Sequence, residues 1–285
     1  MKLALGSVQF GVDYGVSNTL GKTQLDEIGK ILRLAHSKGI ATIDTAAAYG
    51  DAESALGRQD LTPFNIISKI KPIAPNEKAF DCVLDCFSQT LNDLKQESIY
   101  GLLLHNSEDF NHYPEAANAL TYLKQTGLVN KVGLSLYSPK QVNQNVLNFA
   151  DLIQIPANIY DQRFLRTHTL KKLKASNIEI HTRSAFLQGL ILMSEGTWPR
   201  YFNPMKTQLI NLHKVSKRLN ITPLSLAINY VCNIKEIDKI VIGVNNAAQL
   251  EEILSSLENN IQDVDFDEFN LEDERFVNPA NWKLT

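Results

Sequence analysis

The stretch ATIDTAAAYG at residues 41–50 decides the fold. It begins as a short run of apolar and β-branched residues, with Asp44 inside the run and Tyr49 shortly after it. Short apolar runs bounded by turn residues are typical of strands buried on both faces of a parallel sheet. We therefore predict a buried strand that places Asp44 and Tyr49 at its carboxyl end.

Two later runs repeat this arrangement. FNIISKI at 64–70 carries Lys69 next to its end, and IYGLLLH at 99–105 ends at His105. Because parallel strands present their carboxyl ends at one rim, three successive strands are predicted to bring four polar side chains together.

Eight strand-like runs alternate with helical patterns along the whole chain. The runs cover residues 2–8, 41–46, 64–70, 99–105, 129–136, 152–158, 178–184 and 239–244. Alternation of this kind favours parallel strand–helix units. No Gly-x-Gly-x-x-Gly loop follows the first strand, so a closed barrel is favoured over an open dinucleotide-binding sheet. We predict a (β/α)8 TIM barrel that forms a single domain over residues 1–285.

The four polar residues have the chemistry of a proton-delivery site. A phenol such as Tyr49 has a pKa of about 10, and the ammonium of Lys69 is expected to lower it. Asp44 is expected to hold Lys69 protonated and oriented, while His105 hydrogen-bonds a substrate oxygen. The alternative for Asp44 and Lys69 is a purely structural ion pair.

At these residues the chain resembles the aldo-keto reductase superfamily. DTAAAYG together with ESALG at 53–57 is similar to the family's DTA-x-x-YG motif followed by glutamate and LG, and LLLH resembles the end of its fourth strand. Weaker similarity runs from LALGSVQFG at 3–11 to VIGVNNAAQLEEIL at 241–254. The resemblance implies reduction of an aldehyde or ketone by NAD(P)H, with Tyr49, Lys69, Asp44 and His105 as catalytic residues.

The resemblance also implies where the cofactor binds. Ser135 and Gln154 match residues that hydrogen-bond the nicotinamide carboxamide. Arg183 takes the position of a residue that contacts the nicotinamide. The remaining positions are expected to line the pyrophosphate and the adenosine end: Ser184, Phe186, Gln188, Gly243, Asn245, Asn246, Gln249 and Glu252. The N-terminus of the last helix, which begins near these final residues, is a natural anion site.

Some of these positions depart from the family pattern. Leu136 stands where asparagine is usual, and Val8 where tryptophan is frequent. No Lys or Arg in the segment 243–249 is available for a 2′-phosphate. Because backbone N–H groups and the amides of Asn245 and Asn246 can still bind phosphate, the sequence favours NADP(H) over NAD(H) only slightly.

Arg183 is the departure most suggestive of function, since an aromatic residue commonly stacks on the nicotinamide at this position. Either its guanidinium stacks on the nicotinamide, or it binds an anionic group of the substrate through its planar donors. A salt bridge to Asp161 or Glu195 is the structural alternative.

The net charge and the residue composition limit the classes of binding partner. The formal charge of −3 and the lack of a basic cluster argue against nucleic acid and anionic membranes. No apolar leader or long apolar run is present, so a cytoplasmic protein is expected. The three cysteines are expected to be free, and the histidines outside the four-residue set lack metal-ligand spacing.

Two segments lie outside the alternating pattern of strands and helices: a long loop after the seventh strand and an acidic tail. The loop LMSEGTWPRYFNPM at 192–205 follows the seventh strand, so its aromatics either form a substrate wall or pack against the side of the barrel. The acidic tail at 263–276 is expected to be solvated, and the segment FVNPANW after it to pack back on the barrel.

Three functions remain open from the sequence. The first is a carbonyl reductase acting on a sugar or a small acidic carbonyl. The others are a nucleotide-binding regulatory subunit without turnover, and a barrel lyase or epimerase that uses Tyr49 and Lys69 as an acid–base pair.

Overall fold

Eight parallel strands close into a barrel in the computed structural model, which describes residues 1–257, 261 and 264–284. Each strand pairs with the next along the chain, and the last pairs with the first. The strands are β1 (Leu3–Gly6), β2 (Thr42–Asp44), β3 (Asn65–Ile70), β4 (Ile99–Leu104), β5 (Val129–Ser135), β6 (Leu152–Pro156), β7 (Glu179–Arg183) and β8 (Lys239–Gly243). The predicted (β/α)8 barrel is confirmed.

Helices lie between the strands and after the last one. In the described residues the α-helices are α1 (Val8–Gly11), α2 (Leu25–Ser37), α3 (Ala52–Leu56), α4 (Ala79–Leu94), α5 (Glu108–His112), α6 (Pro114–Gln125), α7 (Gln144–Phe149), α8 (Arg163–Arg166), α9 (Thr169–Ala175), α10 (Lys206–Arg218), α11 (Pro223–Cys232), α12 (Ala247–Ser256) and α13 (Glu274–Val277). Short 3-10 helices span Pro139–Gln141, Leu187–Leu192, Arg200–Met205, Phe266–Phe269 and Pro279–Asn281. Among the described residues, no helix has the length and hydrophobicity needed to cross a bilayer.

Local sequence explains how the longer helices begin and pack. Thr222 caps α11 by accepting a hydrogen bond from the backbone N–H of Ser225, and Pro223 occupies the first turn, where its missing N–H costs nothing. In α2, residues Ile28, Ile31 and Ala35 recur at helical spacing and are fully buried. This stripe packs α2 onto the barrel wall.

Alternation along the strands determines which side chains enter the barrel. Ile67, Leu103 and Leu152 form a small cluster separate from the main core between sheet and helices. Lys69 lies two residues after Ile67, so both side chains are on the same face of β3. The barrel interior is thus filled by these apolar side chains, and the Lys69 side chain lies next to them on the side of the carboxyl rim.

The aromatic residues of the loop at 192–205 do not form a substrate wall, although Leu192 at its start lines the cavity at the carboxyl rim. The Phe202 ring lies 4.8 Å from the Trp282 ring, and the Tyr201 ring lies 5.8 Å from the Phe276 ring, measured between centroids. These aromatics therefore pack against the C-terminal segment, as expected for FVNPANW. The tail at 263–276 is expected to be solvated. Its first residue, at position 263, lies outside the described residues.

A half-buried polar cluster lies towards the amino ends of the strands, at the opposite end of the barrel from Asp44 and Lys69. Glu179 accepts hydrogen bonds from Lys131 and from the Tyr100 hydroxyl at 2.7 Å, and its other oxygen lies 2.6 Å from His181 Nε2. Burial opposes the charge on Glu179, but these hydrogen bonds outweigh it and hold the pKa of Glu179 well below its usual range.

We expect Glu179→Gln to lower the free energy of unfolding by about 1.5–3 kcal/mol at neutral pH, because Lys131 and Tyr100 lose a charged hydrogen-bond acceptor. The folded-state pKa is depressed, so this stabilisation is present above the unfolded pKa of about 4.3 and is lost as pH falls below it. Urea unfolding at neutral and acidic pH measures both effects. Glu97→Gln removes an exposed carboxylate as the control, and equal losses in the two variants would contradict the assignment.

Candidate active site

The four residues predicted to meet at the rim do meet there. Asp44 ends β2, Lys69 lies near the end of β3, and His105 directly follows β4. Tyr49 lies in the turn after β2, where the positive φ of +58° at Gly50 allows the chain to reverse into α3. The strand ends and one tight turn therefore position the set.

Asp44 and Lys69 form a buried ion pair behind this rim. Lys69 Nζ lies 2.6 Å from Asp44 Oδ1 and donates a second hydrogen bond, at 2.8 Å, to the backbone oxygen of Thr45. Gln154 Nε2 donates to the other Asp44 oxygen at 2.7 Å. Lys69 is fully buried, so its charge is held in place by this network and acts on neighbouring groups with little screening.

Tyr49 lies between this ion pair and His105. Lys69 Nζ is 5.1 Å from the centroid of the Tyr49 ring, and the ring of His105 meets it edge-on at 5.7 Å. Burial and the nearby Asp44 carboxylate raise the pKa of Tyr49 above its ordinary value, while Arg183 acts to lower it. The expectation that Lys69 leaves Tyr49 with a lowered pKa is wrong for this structure, because desolvation of the phenolate dominates.

His105 is uncharged at neutral pH. Burial, with smaller contributions from Lys69 and Arg183, lowers the pKa of His105 to about 4. Its Nδ1 atom is buried without a hydrogen-bond partner in the described structure. A neutral imidazole beside a protonated phenol is suited to orienting a polar group in front of Tyr49.

A cavity of about 820 Å³ opens in front of these side chains. Asp44, Tyr49 and His105 line one end, whereas Lys69 lies behind the wall. Most of the predicted cofactor-binding residues also line it: Gln154, Arg183, Ser184, Phe186, Gln188, Gly243, Asn245, Gln249 and Glu252. The cavity thus runs from the Tyr49 phenol to the start of α12.

Ser135 and Gln154 fit a carboxamide. They are neighbours in the register between β5 and β6. Ser135 Oγ and Gln154 Oε1 are both buried without a hydrogen-bond partner, and such atoms are costly unless something satisfies them. A nicotinamide carboxamide, which carries two donors and an acceptor, would supply the missing hydrogen bonds.

Arg183 stacks on a tyrosine that the sequence pattern does not single out. Its guanidinium carbon lies 4.3 Å from the centroid of the Tyr137 ring, and one nitrogen donates to the backbone oxygen of Leu136 at 3.3 Å. The salt bridge considered from the sequence does not form, because Asp161 pairs with Arg163 and Glu195 lies near Lys217. Most of the guanidinium N–H groups thus remain for a ligand in the cavity.

The start of α12 is not the open anion site that the sequence predicts. The Asn246 side chain caps the helix by accepting from the N–H of Gln249, and the Asn245 amide donates to Gly21. Asn246 does not line the cavity. The Asn245 amide is therefore already bonded within the chain, whereas the Asn246 oxygen is used as a helix cap.

Several cavity residues were not anticipated from the sequence. Tyr14 and Gln9 follow β1, and Tyr137 follows β5. Gln9 packs so close to β8 that a Cβ on Gly243 would lie 2.4 Å from its amide nitrogen. Their position just after strands is the signal that could have identified them, because loops at this end of a barrel build the active site.

A buried ion pair, a phenol and a neutral imidazole thus meet at the carboxyl rim of the barrel, beside the cavity. The model of the aldo/keto reductase family matches residues 2–271 of the chain. The chain therefore belongs to the aldo/keto reductase family, whose members are oxidoreductases that use nicotinamide cofactors. No match is found among curated proteins.

Solved structures support the same fold. The chain is similar to the protein PA4992 from Pseudomonas aeruginosa, with 22% identity, a TM-score of 0.68, and coverage of 90% of this chain and 88% of the other. A thermostable aldo-keto reductase, Tm1743, crystallised with the inhibitor epalrestat, has 18% identity, a TM-score of 0.69, and coverage of 94% and 93%. The glycerol dehydrogenase AKR11B4 from Gluconobacter oxydans has 18% identity, a TM-score of 0.72, and coverage of 100% and 94%.

Proposed function

We propose that this protein reduces an aldehyde or ketone to an alcohol, with hydride from a bound nicotinamide dinucleotide and the proton from Tyr49. The observation that carries the proposal is the Tyr49 phenol at the cavity wall, flanked by His105 and backed by the buried Lys69–Asp44 pair. The cofactor, when bound, supplies two electrons as hydride.

The side chains of the protein supply the proton and stabilise the charge that develops. Because the pKa of Tyr49 is raised, the phenol is protonated at neutral pH and has a proton to give. That proton would move to the carbonyl oxygen during reduction, which leaves negative charge on the Tyr49 oxygen. The fixed charge of Lys69 beside the ring stabilises this charge better than water-exposed groups can.

His105 and the carboxamide partners supply orientation. A neutral His105 can donate a hydrogen bond to the carbonyl oxygen and hold it near Tyr49. Ser135 and Gln154 would hold the carboxamide, which fixes the nicotinamide against the barrel mouth. Closely held reactants react faster because the entropic cost of bringing them together is met on binding.

Purified protein assayed with NADH and NADPH against a panel of aldehydes, ketones and sugars tests the proposal. Dinucleotide oxidation that depends on the carbonyl supports it. Binding of the dinucleotide without turnover would instead support a regulatory subunit, and turnover of a substrate without dinucleotide would support a lyase or epimerase. The intact four-residue set favours reduction over both.

Arg183 is proposed to bind an anionic group of the substrate. We expect Arg183→Gln to raise KM for carboxylate-bearing or phosphate-bearing carbonyls by about tenfold or more, the effect of one lost charge-assisted hydrogen bond. Neutral aldehydes should keep their KM, and Arg183→Lys should recover part of the loss. Equal increases for charged and neutral substrates would contradict anion binding and leave a role in stacking.

A further inference from the structure

The anion at the start of α12 is supplied by the chain itself. The backbone N–H of Ala247, the first residue of the helix, donates to Glu27 Oε1 at 2.9 Å. Glu27 comes from the first turn of α2, at a separation of 220 residues in the sequence. A carboxylate is favourable here because it interacts with the partial positive charge of the helix N-terminus.

Other donors at this point are also engaged. The Asn245 N–H donates to Gln249 Oε1 at 2.8 Å, and the Gln249 N–H donates to Asn246 Oδ1 at 2.9 Å. A phosphate approaching the N–H groups of Ala247, Asn245 or Gln249 would therefore have to displace a hydrogen bond already accepted by Glu27, Gln249 or Asn246. It would also have to come close to the Glu27 carboxylate.

The charges around this end of the cavity also disfavour a phosphate. Of the cavity-lining residues in the described part of the chain, Arg183 is the basic one, and it stacks on Tyr137 beside the catalytic residues. The lining at the α12 end includes the carboxylate of Glu252. Lys30 is close by but is paired, with its ammonium 2.8 Å from Glu27 and 3.6 Å from Asp26.

We infer that Glu27 is a specificity-determining residue that excludes a 2′-phosphate, so that the enzyme uses NADH in preference to NADPH. The inference rests on the proposed function, because it concerns the dinucleotide of the same site. It replaces the slight preference for NADP(H) that the sequence pattern favours. A free ribose hydroxyl is compatible with this environment, since the carboxylate of Glu252 can accept a hydrogen bond from it, whereas a phosphate is repelled.

Isothermal titration calorimetry of the purified protein with NADH and with NADPH tests the inference without turnover. We expect the wild type to bind NADH more tightly by about tenfold, the effect of like charges at a partly exposed site. Glu27→Gln should tighten NADPH binding by a similar factor and leave the Kd for NADH unchanged. Glutamine can still accept the hydrogen bond from Ala247, so the helix start is expected to stay intact.

Asp26→Asn is the matched control. It removes the same charge from the adjacent residue, which is highly exposed and contacts Lys30 at 3.6 Å without touching α12. Its ratio of NADPH to NADH affinity should equal that of the wild type. Tighter wild-type binding of NADPH, or an unchanged ratio in Glu27→Gln, would overturn the inference while leaving the proposed function intact. Failure of both dinucleotides to bind would overturn both.

Discussion

Tyr49→Phe is expected to lower kcat for carbonyl reduction by about 10²–10⁴-fold, the range that a positioned general acid contributes. The substitution removes only the phenol oxygen. The ring remains packed 5.7 Å from His105 and 5.1 Å from the Lys69 ammonium, so folding and dinucleotide affinity should be unchanged. Steady-state kinetics with saturating dinucleotide measure kcat, and thermal unfolding with dinucleotide titration checks the other two properties.

Tyr14→Phe is the control for this result. Tyr14 lines the same cavity, and the nearby Tyr49 contributes to the raised pKa of Tyr14, but Tyr14 lacks the Lys69–Asp44 pair behind it. Tyr14→Phe should therefore lower kcat far less than Tyr49→Phe does. A wild-type kcat in Tyr49→Phe, or a larger loss in Tyr14→Phe, would show that the proton comes from another group.

Lys69→Met is expected to reduce kcat at least as much as Tyr49→Phe, because no fixed positive charge then offsets the developing phenolate. The variant is also expected to be less stable by about 3–5 kcal/mol, since the buried Asp44 carboxylate is left without its cation. Kinetics on the folded fraction, together with urea unfolding, measure the two effects separately.

The double variant Asp44→Asn with Lys69→Met separates catalysis from stability. Replacing a buried ion pair by neutral groups removes the uncompensated charge, so stability should largely return. Activity should not return, because the ammonium is still missing. Recovery of kcat along with stability would mean that the Lys69–Asp44 pair is only structural, the alternative that the sequence leaves open.

The strand order and the meeting of polar side chains at the carboxyl rim could be predicted because both depend on local sequence. An apolar run predicts a buried strand, and a polar residue at its end lies at the carboxyl rim of any parallel barrel. Asp44, Lys69 and His105 follow this rule. Tyr49 lies after the end of β2, and the turn at Gly50 keeps it at the same rim. Ser135 and Gln154 were likewise placed by their strands.

The start of α12 could not be predicted, because its partners come from distant sequence. Nothing near Ala247 indicates that Glu27, 220 residues earlier, binds its N–H. The amide of Asn245 is likewise used by Gly21, from the loop after β1. This packing depends on the closed barrel, in which β8 pairs with β1 and α12 contacts α2.

The pKa of Tyr49 was misjudged for a different reason. The sequence shows that a cation is near the phenol, but it does not show how far the phenol is removed from water. In the structure, burial outweighs the neighbouring positive charges and raises the pKa of Tyr49. Tyr49 is therefore fully protonated at neutral pH, as the proposed role of proton donor requires.

The transfer of deuterium from a reduced dinucleotide labelled at the hydride position tests the central claim most directly. Product formed by the wild type from its best carbonyl substrate is expected to carry one deuterium on the new alcohol carbon, as measured by mass spectrometry, and Tyr49→Phe should form this product far more slowly. Product that carries no deuterium, or labelled product formed equally fast by Tyr49→Phe, would contradict hydride transfer coupled to protonation by Tyr49.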